Sequence, residues 1–257
     1  MPAKIKQVSF AQALSGKKKR SSIRLSTAVG LDCLNKAELR VDQLDALLNA
    51  GIYRDKHIGE PAIAALIHGD IQKKSKQTKS KSDPEKFFCF DISNGGNGPL
   101  NAIEIASGLI DSGKLKNALI VTGDALPRRK DWLNYPFGSH ASAILLEQSN
   151  SSGFKKFFTR SYPEFIEDYS AELQWTPRKI GKKHHHQLQI ERSDKYLNNC
   201  LQCAKITLLE FLESCGKNLE EFDMMITSHS PIGFTQGLKK EFNLPENILV
   251  EPSFRIE

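Results

Sequence analysis

A glycine-rich turn between two apolar stretches is the first place in the sequence where chemistry could be positioned. Residues 93–99 read SNGGNGP, and their three glycines allow backbone angles that other residues rarely adopt. A tight turn from a strand into a helix holds one residue exposed at the positive end of the helix, a common position for a nucleophile. The turn is therefore the first candidate site for nucleophilic chemistry.

Regular elements are predicted on both sides of this turn. The apolar run 87–92 has the length of a buried strand. Pro99 suits the first turn of a helix. Leu100, Ile103 and Ile110 then recur at helical spacing, and the Ser-Gly pair at 112–113 is typical of a helix C-terminus. A second buried strand is predicted at 118–122. The order strand, turn, helix, strand predicts a right-handed crossover onto a parallel sheet.

Two histidines outside the turn also follow or precede predicted strands. His140 adjoins Ser139 before the apolar run 144–147, and a serine beside a histidine is a conceivable nucleophile and base. A side chain that fills the loop is the simpler interpretation of His140. His229 follows the predicted strand 222–228, and from its position alone a structural role is the simpler interpretation.

We expect no metal site. Three adjacent histidines at 184–186 cannot all face one ion from a regular element, and they are interpreted as an exposed loop. The five cysteines lack the spacing of a metal site or a disulfide framework. Cys200 and Cys203 lie inside an apolar helical pattern, so buried reduced thiols are the prediction.

Composition and charge limit the class of protein. A chain of 257 residues can bury a core as one or two domains, and no apolar run is long enough to cross a membrane. Without a signal peptide, a cytoplasmic location is expected. The net charge of +6 includes the run KKKR at 17–20 and a lysine-dense stretch at 73–86, both interpreted as solvated surface segments. We do not expect a membrane or nucleic acid as a partner.

The stretch 87–124 resembles the nucleophile region of the beta-ketoacyl-ACP synthase III family, which has the thiolase-like fold. Residues 90–92 (Phe-Asp-Ile), Gly98 and the Ser-Gly pair at 112–113 fit the family pattern without a gap. This register places Gly96 where the family has its catalytic Cys, and a shift of one residue places Asn97 there. Neither is a thiol, and Cys89 lies before the turn.

The resemblance continues along the chain. At 137–143 the family shows Phe-Gly-Asp-Gly-Ala-x-Ala, so Phe137 and Gly138 match a structural loop, and Gly95 and Gly98 match the elbow. His229 falls where the family has a catalytic His, which together with an Asn polarises a thioester carbonyl. The family's Gly-Asn pair would lie just past residue 257, so this trio is expected to keep only its His.

The fold class implied is α/β: a thiolase-like fold of two related βαβ-rich halves, in a layered α/β/α/β/α arrangement with an incomplete C-terminus. Residues 1–21 are expected to form a basic, mobile N-terminus. Residues 22–150 then correspond to the N-terminal thiolase-like half, and residues 151–257 to a partial C-terminal half.

The function implied is that of a degenerate, truncated 3-oxoacyl-ACP synthase III-like acyltransferase in fatty-acid or polyketide-type biosynthesis. It would handle acyl-CoA or acyl-ACP thioesters as substrates without another cofactor, and meet acyl carrier protein. Because the nucleophilic Cys and the catalytic Asn are missing, it is expected to be unable to condense alone. The alternatives are a non-catalytic partner subunit of an active condensing enzyme, or a remnant of a split gene. As its assembly, we expect a homodimer or a heterodimer with a condensing-enzyme paralogue.

Overall fold

The computed structural model describes residues 1–12, 21–52, 54–55, 58–75, 87–125, 138–175, 186–245 and 248–250. The chain divides into two compact units, residues 1–157 and 158–257. In the part of the chain that the structure describes, no helix has the length and apolar content needed to cross a membrane.

A five-stranded mixed sheet forms the centre of the first unit, in the order β1-β5-β4-β2-β3. Its strands are β1 (Ala3–Gln12), β2 (Ala46–Asn49), β3 (Phe88–Asp91), β4 (Asn117–Asp124) and β5 (His140–Gln148). Strand β2 runs parallel to both β3 and β4, whereas β5 runs antiparallel to β4 and β1. The carboxyl ends of β2, β3 and β4 therefore lie at one edge of the sheet, together with the first residues of β5.

Helices cover both faces of this sheet. In the described part of the first unit, the helices are α1 (Ser22–Lys36), α2 (Ile63–Lys74) and α3 (Gly98–Asp111). Leu47 in β2 packs into the cluster formed with α1 and α2, while its neighbours Ala46 and Leu48 pack into the cluster formed with α3. This alternation follows from the two-residue period of a strand and produces α/β/α layering. The predicted α/β class is confirmed.

The first strand differs from the prediction. The sequence predicts a mobile terminus up to residue 21, but Ala3–Gln12 forms β1, an edge strand paired with β5. Its large apolar residues Ile5, Val8 and Phe10 are exposed by 46%, 49% and 49%, while the small Ala3 and Ser9 are buried. The register also shifts between Ile5 and Gln7, which breaks the alternation. The basic run 17–20 lies outside the described residues.

The second unit contains a strand pair and two helices within its described part. An antiparallel hairpin is formed by β6 (Tyr169–Trp175) and β7 (His186–Arg192), followed by α4 (Tyr196–Cys215) and α5 (Phe234–Glu241). The prediction of a loop at 184–186 is wrong for His186, which begins β7. Helix α4 ends as predicted at Gly216, whose φ of 63° is left-handed. The predicted strand 222–228 appears as one parallel bridge between Met225 and Leu249.

The two units repeat a local pattern. In the first unit, Glu38 has a φ of 53° and lies three residues before a 3-10 turn at Val41–Gln43, which leads into β2. In the second unit, Gly216 lies three residues before the 3-10 turn at Leu219–Glu221, which leads to Met225. Both segments then pair in parallel with a later part of their own unit, with β3 in the first unit and with Leu249 in the second.

Candidate functional site

The glycine-rich turn has the predicted connectivity. Strand β3 ends at Asp91, a 3-10 turn spans Gly95–Asn97, and α3 begins at Gly98 with Pro99 in its first turn. Gly95 has a left-handed φ of 48°. Gly98 packs against the end of β2, because a Cβ atom at that position would lie 3.3 Å from the Ala50 carbonyl oxygen. We call residues 92–98 the elbow.

The two candidate nucleophile positions both lie on the exposed side of the elbow. Gly96 has no left-handed φ, and a Cβ atom there would meet no heavy atom within 4 Å. Asn97 precedes the first helical residue, and its side chain makes no capping hydrogen bond to α3. Position 96 therefore has room for a side chain at the N-terminus of α3, but the residue present carries none.

Asp91 anchors the elbow to its neighbours. Its carboxylate accepts hydrogen bonds from the backbone N–H groups of Ile63 and Ala64, both at 2.9 Å, and so caps α2. Asn49 Nδ2 donates to Asp91 Oδ1 at 3.2 Å, and the Arg54 guanidinium pairs with Oδ2 at 3.2 Å. Sequence reasoning missed this network. The signal was the position of Asp91 at the end of β3, the edge where an adjacent helix begins.

Cys89 is the thiol nearest to the elbow in sequence, but it lies within β3. Its side chain is partly buried and packs against the α1–α2 face of the sheet. Burial, followed by the negative charge of Asp91, raises the pKa of the thiol. Because the thiolate is the nucleophilic form, Cys89 in this position is a poor substitute for a catalytic cysteine.

The loop before β5 places Gly138 at the same edge of the sheet as the elbow, since His140 pairs with Asp124 at the end of β4. A Cβ atom at Gly138 would lie 2.2 Å from the His140 ring. That ring also stacks on Phe10, with 5.8 Å between ring centroids. These contacts agree with a packing role for His140. Phe137 lies outside the described residues.

His229 lies in the second unit, in the segment between Met225 and α5. The Ser228 side chain binds the backbone of Ser230 on the other side of His229. Its hydroxyl donates to the Ser230 carbonyl at 2.9 Å and accepts from the Ser230 N–H at 3.1 Å. The His229 side chain is exposed, and its Nδ1 lies 3.5 Å from the hydroxyl of Thr235, near the start of α5. Among the described residues, the imidazole therefore has a hydrogen-bond partner at Nδ1 only.

The cysteines differ in part from the prediction of buried thiols. Cys33 is fully buried, and burial raises its pKa to about 11. Cys89, Cys200, Cys203 and Cys215 are only partly buried. Among the described residues, no three His, Cys, Asp or Glu side chains form a group that could hold a metal ion.

Comparison with known proteins gives a consistent picture. Residues 90–163 match the sequence profile of 3-oxoacyl-[acyl-carrier-protein (ACP)] synthase III. The beta-ketoacyl-[acyl-carrier-protein] synthase III of Aquifex aeolicus is 22% identical over 232 residues, which are 86% of this chain and 65% of that enzyme. This chain therefore aligns with slightly less than two thirds of the length of that relative.

Two solved structures share the fold. A crystal structure of a 3-oxoacyl-(acyl-carrier-protein) synthase III superposes with a TM-score of 0.75 and 13% identity, over 97% of this chain and 85% of the other. A cysteine-to-serine variant of OleA from Xanthomonas campestris, with bound lauric acid and lauroyl-CoA, superposes with a TM-score of 0.68 and 14% identity, over 97% and 84%.

The chain thus has the fold of these 3-oxoacyl-ACP synthase III and OleA structures. The profile match over residues 90–163 and the Aquifex relative show that the chain is similar to the beta-ketoacyl-ACP synthase III family.

Proposed function

We propose that this protein binds acyl-CoA or acyl-ACP thioesters without forming a covalent acyl-enzyme, and so does not carry out two-step condensation alone. The observation that carries the proposal is the elbow, which retains its glycine geometry and an open position at Gly96 but no thiol. A synthase III-type thiolate is both the attacking atom and the carrier of the acyl group. Glycine supplies neither, and the amide of Asn97 is not a nucleophile at neutral pH.

Thioester binding is supported by the family and by one structural neighbour. The Xanthomonas OleA structure contains lauroyl-CoA, and the relatives are named for acyl carrier protein. The net charge of +6 suits an acidic carrier protein or the phosphates of CoA. A cytoplasmic location and a role in fatty-acid or polyketide-type biosynthesis belong to the same proposal.

The test restores the thiol. We would prepare the wild type, Gly96→Cys and Asn97→Cys, mix each with acetyl-CoA or lauroyl-CoA, and measure the intact mass. A thiolate at the elbow attacks the thioester carbonyl, a new S–acyl bond forms, and CoA leaves as its thiolate. Gly108→Cys is the matched control, because Gly108 is an exposed position of the same helix with no heavy atom within 4 Å of a Cβ.

The expected result is no acyl adduct on the wild type and one acyl group on Gly96→Cys or Asn97→Cys, formed at least about tenfold faster than on Gly108→Cys. An adduct on the wild type, mapped to Ser139 or to a native cysteine, would refute the proposal that the protein forms no covalent acyl-enzyme. Acylation of the elbow variants no faster than the control would refute thioester binding at the elbow. The variant that reacts faster shows whether position 96 or position 97 corresponds to the family's catalytic Cys.

A second candidate function, a subunit that pairs with another condensing-enzyme chain, is favoured by the surface around the elbow. Strand β3 has only β2 as a neighbour in the described sheet. Phe88 on β3 and Leu100 and Ile105 on α3 are exposed. Exposed apolar side chains beside an open strand edge are a favourable surface for pairing with another strand.

Light scattering with size-exclusion chromatography tests this second candidate. We expect a dimer for the wild type and a monomer for Leu100→Asp, which places a charge on the apolar surface. Glu104→Gln on the same helix is the control and should remain dimeric. A wild type that stays monomeric, alone and when mixed with an active synthase III paralogue, would exclude pairing.

A further inference from the structure

Three polar contacts meet at the hydroxyl of Thr235. Thr235 is the second residue of α5 and is only 4% exposed. Its Oγ1 lies 3.3 Å from the Ser228 carbonyl oxygen, 3.4 Å from Thr227 Oγ1 and 3.5 Å from His229 Nδ1. All three partners come from the segment that follows Met225. One buried hydroxyl thus contacts three consecutive residues, including the candidate catalytic histidine.

The direction of these hydrogen bonds follows from counting protons. A threonine hydroxyl has one proton to donate and two lone pairs that accept. The Ser228 carbonyl can only accept, so it receives the Thr235 proton. The two lone pairs of Thr235 Oγ1 are then available to the two remaining contacts, one donated by the Thr227 hydroxyl and one by His229 Nδ1–H. This assignment satisfies every group with no proton shared between two acceptors.

We infer that Thr235 is a positioning residue that holds neutral His229 as the tautomer with its proton on Nδ1. Nε2 then carries a lone pair. Within the described part of the chain it has no hydrogen-bond partner, and the side chain is exposed. In an imidazole, the hydrogen bond made by one nitrogen fixes the role of the other. Neutral His229 therefore presents an acceptor at its open end.

This inference rests on the proposed function for the class of ligand, and it changes the role of His229 toward that ligand. Polarising a thioester carbonyl requires an N–H directed at the carbonyl oxygen. With the proton on Nδ1, Nε2 of the neutral ring instead accepts a hydrogen bond from a donor, such as an amide N–H or hydroxyl of the thioester's arm or a water molecule. The histidine then serves to bind and orient an acyl thioester.

The test reads the tautomer directly, without substrate. The full chain is labelled with ¹⁵N at its histidines, and long-range ¹H–¹⁵N correlation spectra are recorded at a pH well above about 6.5, where an ordinary histidine is neutral. The His229 signals are assigned by their absence in His229→Gln. We expect the Nδ1–H pattern as the major form in the wild type. A predominant Nε2–H pattern would overturn the inference.

Two variants test whether Thr235 is responsible. Thr235→Val keeps the shape of the side chain but removes the oxygen, so the Nδ1–H form should change from the major to the minor species. Thr235→Ser retains the hydroxyl and should give the wild-type pattern. Equal tautomer populations in the wild type and Thr235→Val would refute the role of Thr235, provided that the other histidine signals show a folded protein. If Thr235→Val does not fold, the wild-type pattern decides.

Because these spectra contain no acyl thioester, their outcome is independent of the acylation experiment. If the elbow variants fail to react, the proposal that the protein binds acyl thioesters is refuted, but the tautomer assigned to His229 is unaffected. Conversely, an Nε2–H tautomer would leave the proposed thioester binding at the elbow standing and restore a donor role to His229.

Discussion

Arg54 pairs with Asp91 across the base of the elbow, with 3.2 Å between Arg54 Nη2 and Asp91 Oδ2. The guanidinium also donates to the Ile58 carbonyl oxygen at 3.3 Å, so it links the loop before α2 to the end of β3. Arg54 therefore contacts the protein itself, and it holds the strand from which the elbow departs.

Asp91→Asn is therefore expected to destabilise the protein. Asparagine keeps one acceptor oxygen, but it removes the charge paired with Arg54 and leaves part of the α2 cap unsatisfied. A loss of about 1–3 kcal/mol in the free energy of unfolding is expected from such partly buried polar groups. Urea unfolding measures it. Asp70→Asn, at a position on α2 away from this network, is the control and should change little; equal stability of the two variants would contradict the anchoring role.

Gly123→Ala tests the close approach of α1 to β4. A Cβ atom at Gly123 would lie 2.2 Å from Ser26 Oγ and 2.9 Å from the Ser22 carbonyl oxygen. The backbone contact cannot be relieved by a rotamer change, so α1 must shift. We expect a loss of about 1–3 kcal/mol, typical of overpacking.

Gly108→Ala is the opposite case on α3, because a Cβ there meets nothing within 4 Å. It should stabilise the protein by about 0.4–1 kcal/mol through the lower entropy of the unfolded chain. Thermal unfolding of the two variants and the wild type should show a lower melting temperature for Gly123→Ala and a higher one for Gly108→Ala. A Gly123→Ala variant as stable as the wild type would show that the approach is looser than described.

Cys33 predicts a dependence of stability on alkaline pH. Burial raises its pKa from 9.0 to about 11, so the folded protein keeps the thiol proton to a higher pH than the unfolded chain does. The stability from this group is present below pH 9 and is lost progressively as the pH rises toward 11. The loss can reach about 2–3 kcal/mol.

Other groups titrate in the same range, so the comparison must be made with Cys33→Ala. We expect the free energy of unfolding of the wild type to fall more steeply than that of Cys33→Ala when urea unfolding is measured on both sides of pH 9. Cys215→Ala, which removes a partly exposed thiol, should retain the wild-type slope. Parallel slopes for the wild type and Cys33→Ala would mean that the thiol is not held in its neutral form by burial.

The sequence predicts well those helix ends that are marked by a proline or a glycine. Pro99 and Gly98 define the start of α3, and Gly216 defines the end of α4. Strand β1 escaped prediction because its apolar side chains point outward and its register shifts, so the pattern of a half-buried strand is lost. The β6–β7 hairpin escaped because residues 169–192 carry no alternation strong enough to identify strands.

The sequence predicts the site as a set of positions, but not the contacts that support them. The elbow, Gly138 and His229 follow from motif order. The partners that hold them, Asp91 with Arg54 and Thr235 with His229, are distant in sequence or separated by a turn, and no periodicity marks them. Such contacts depend on how the chain returns to the same edge of the sheet or to the same helix end, which local sequence does not specify.

Gly95 and Gly96 in the elbow differ in whether their backbone conformation requires glycine, and substituting each by alanine tests this difference. Gly95 has a φ of 48°, so Gly95→Ala forces a left-handed alanine and should cost about 1–2 kcal/mol. Gly96 has neither a left-handed φ nor a neighbour within 4 Å of a Cβ, so Gly96→Ala should be neutral or slightly stabilising. Chemical denaturation measures both.

This difference bears on the register of the elbow. A nucleophile position must accept a side chain without distortion, which Gly96 does and Gly95 does not. Equal destabilisation by the two alanines would mean that position 96 is as constrained as position 95. Asn97, which already carries a side chain, would then be the better candidate for the nucleophile position. A neutral Gly96→Ala together with a destabilised Gly95→Ala keeps Gly96 as a position that a cysteine can occupy, and it makes the acylation of Gly96→Cys a test of ligand binding rather than of folding.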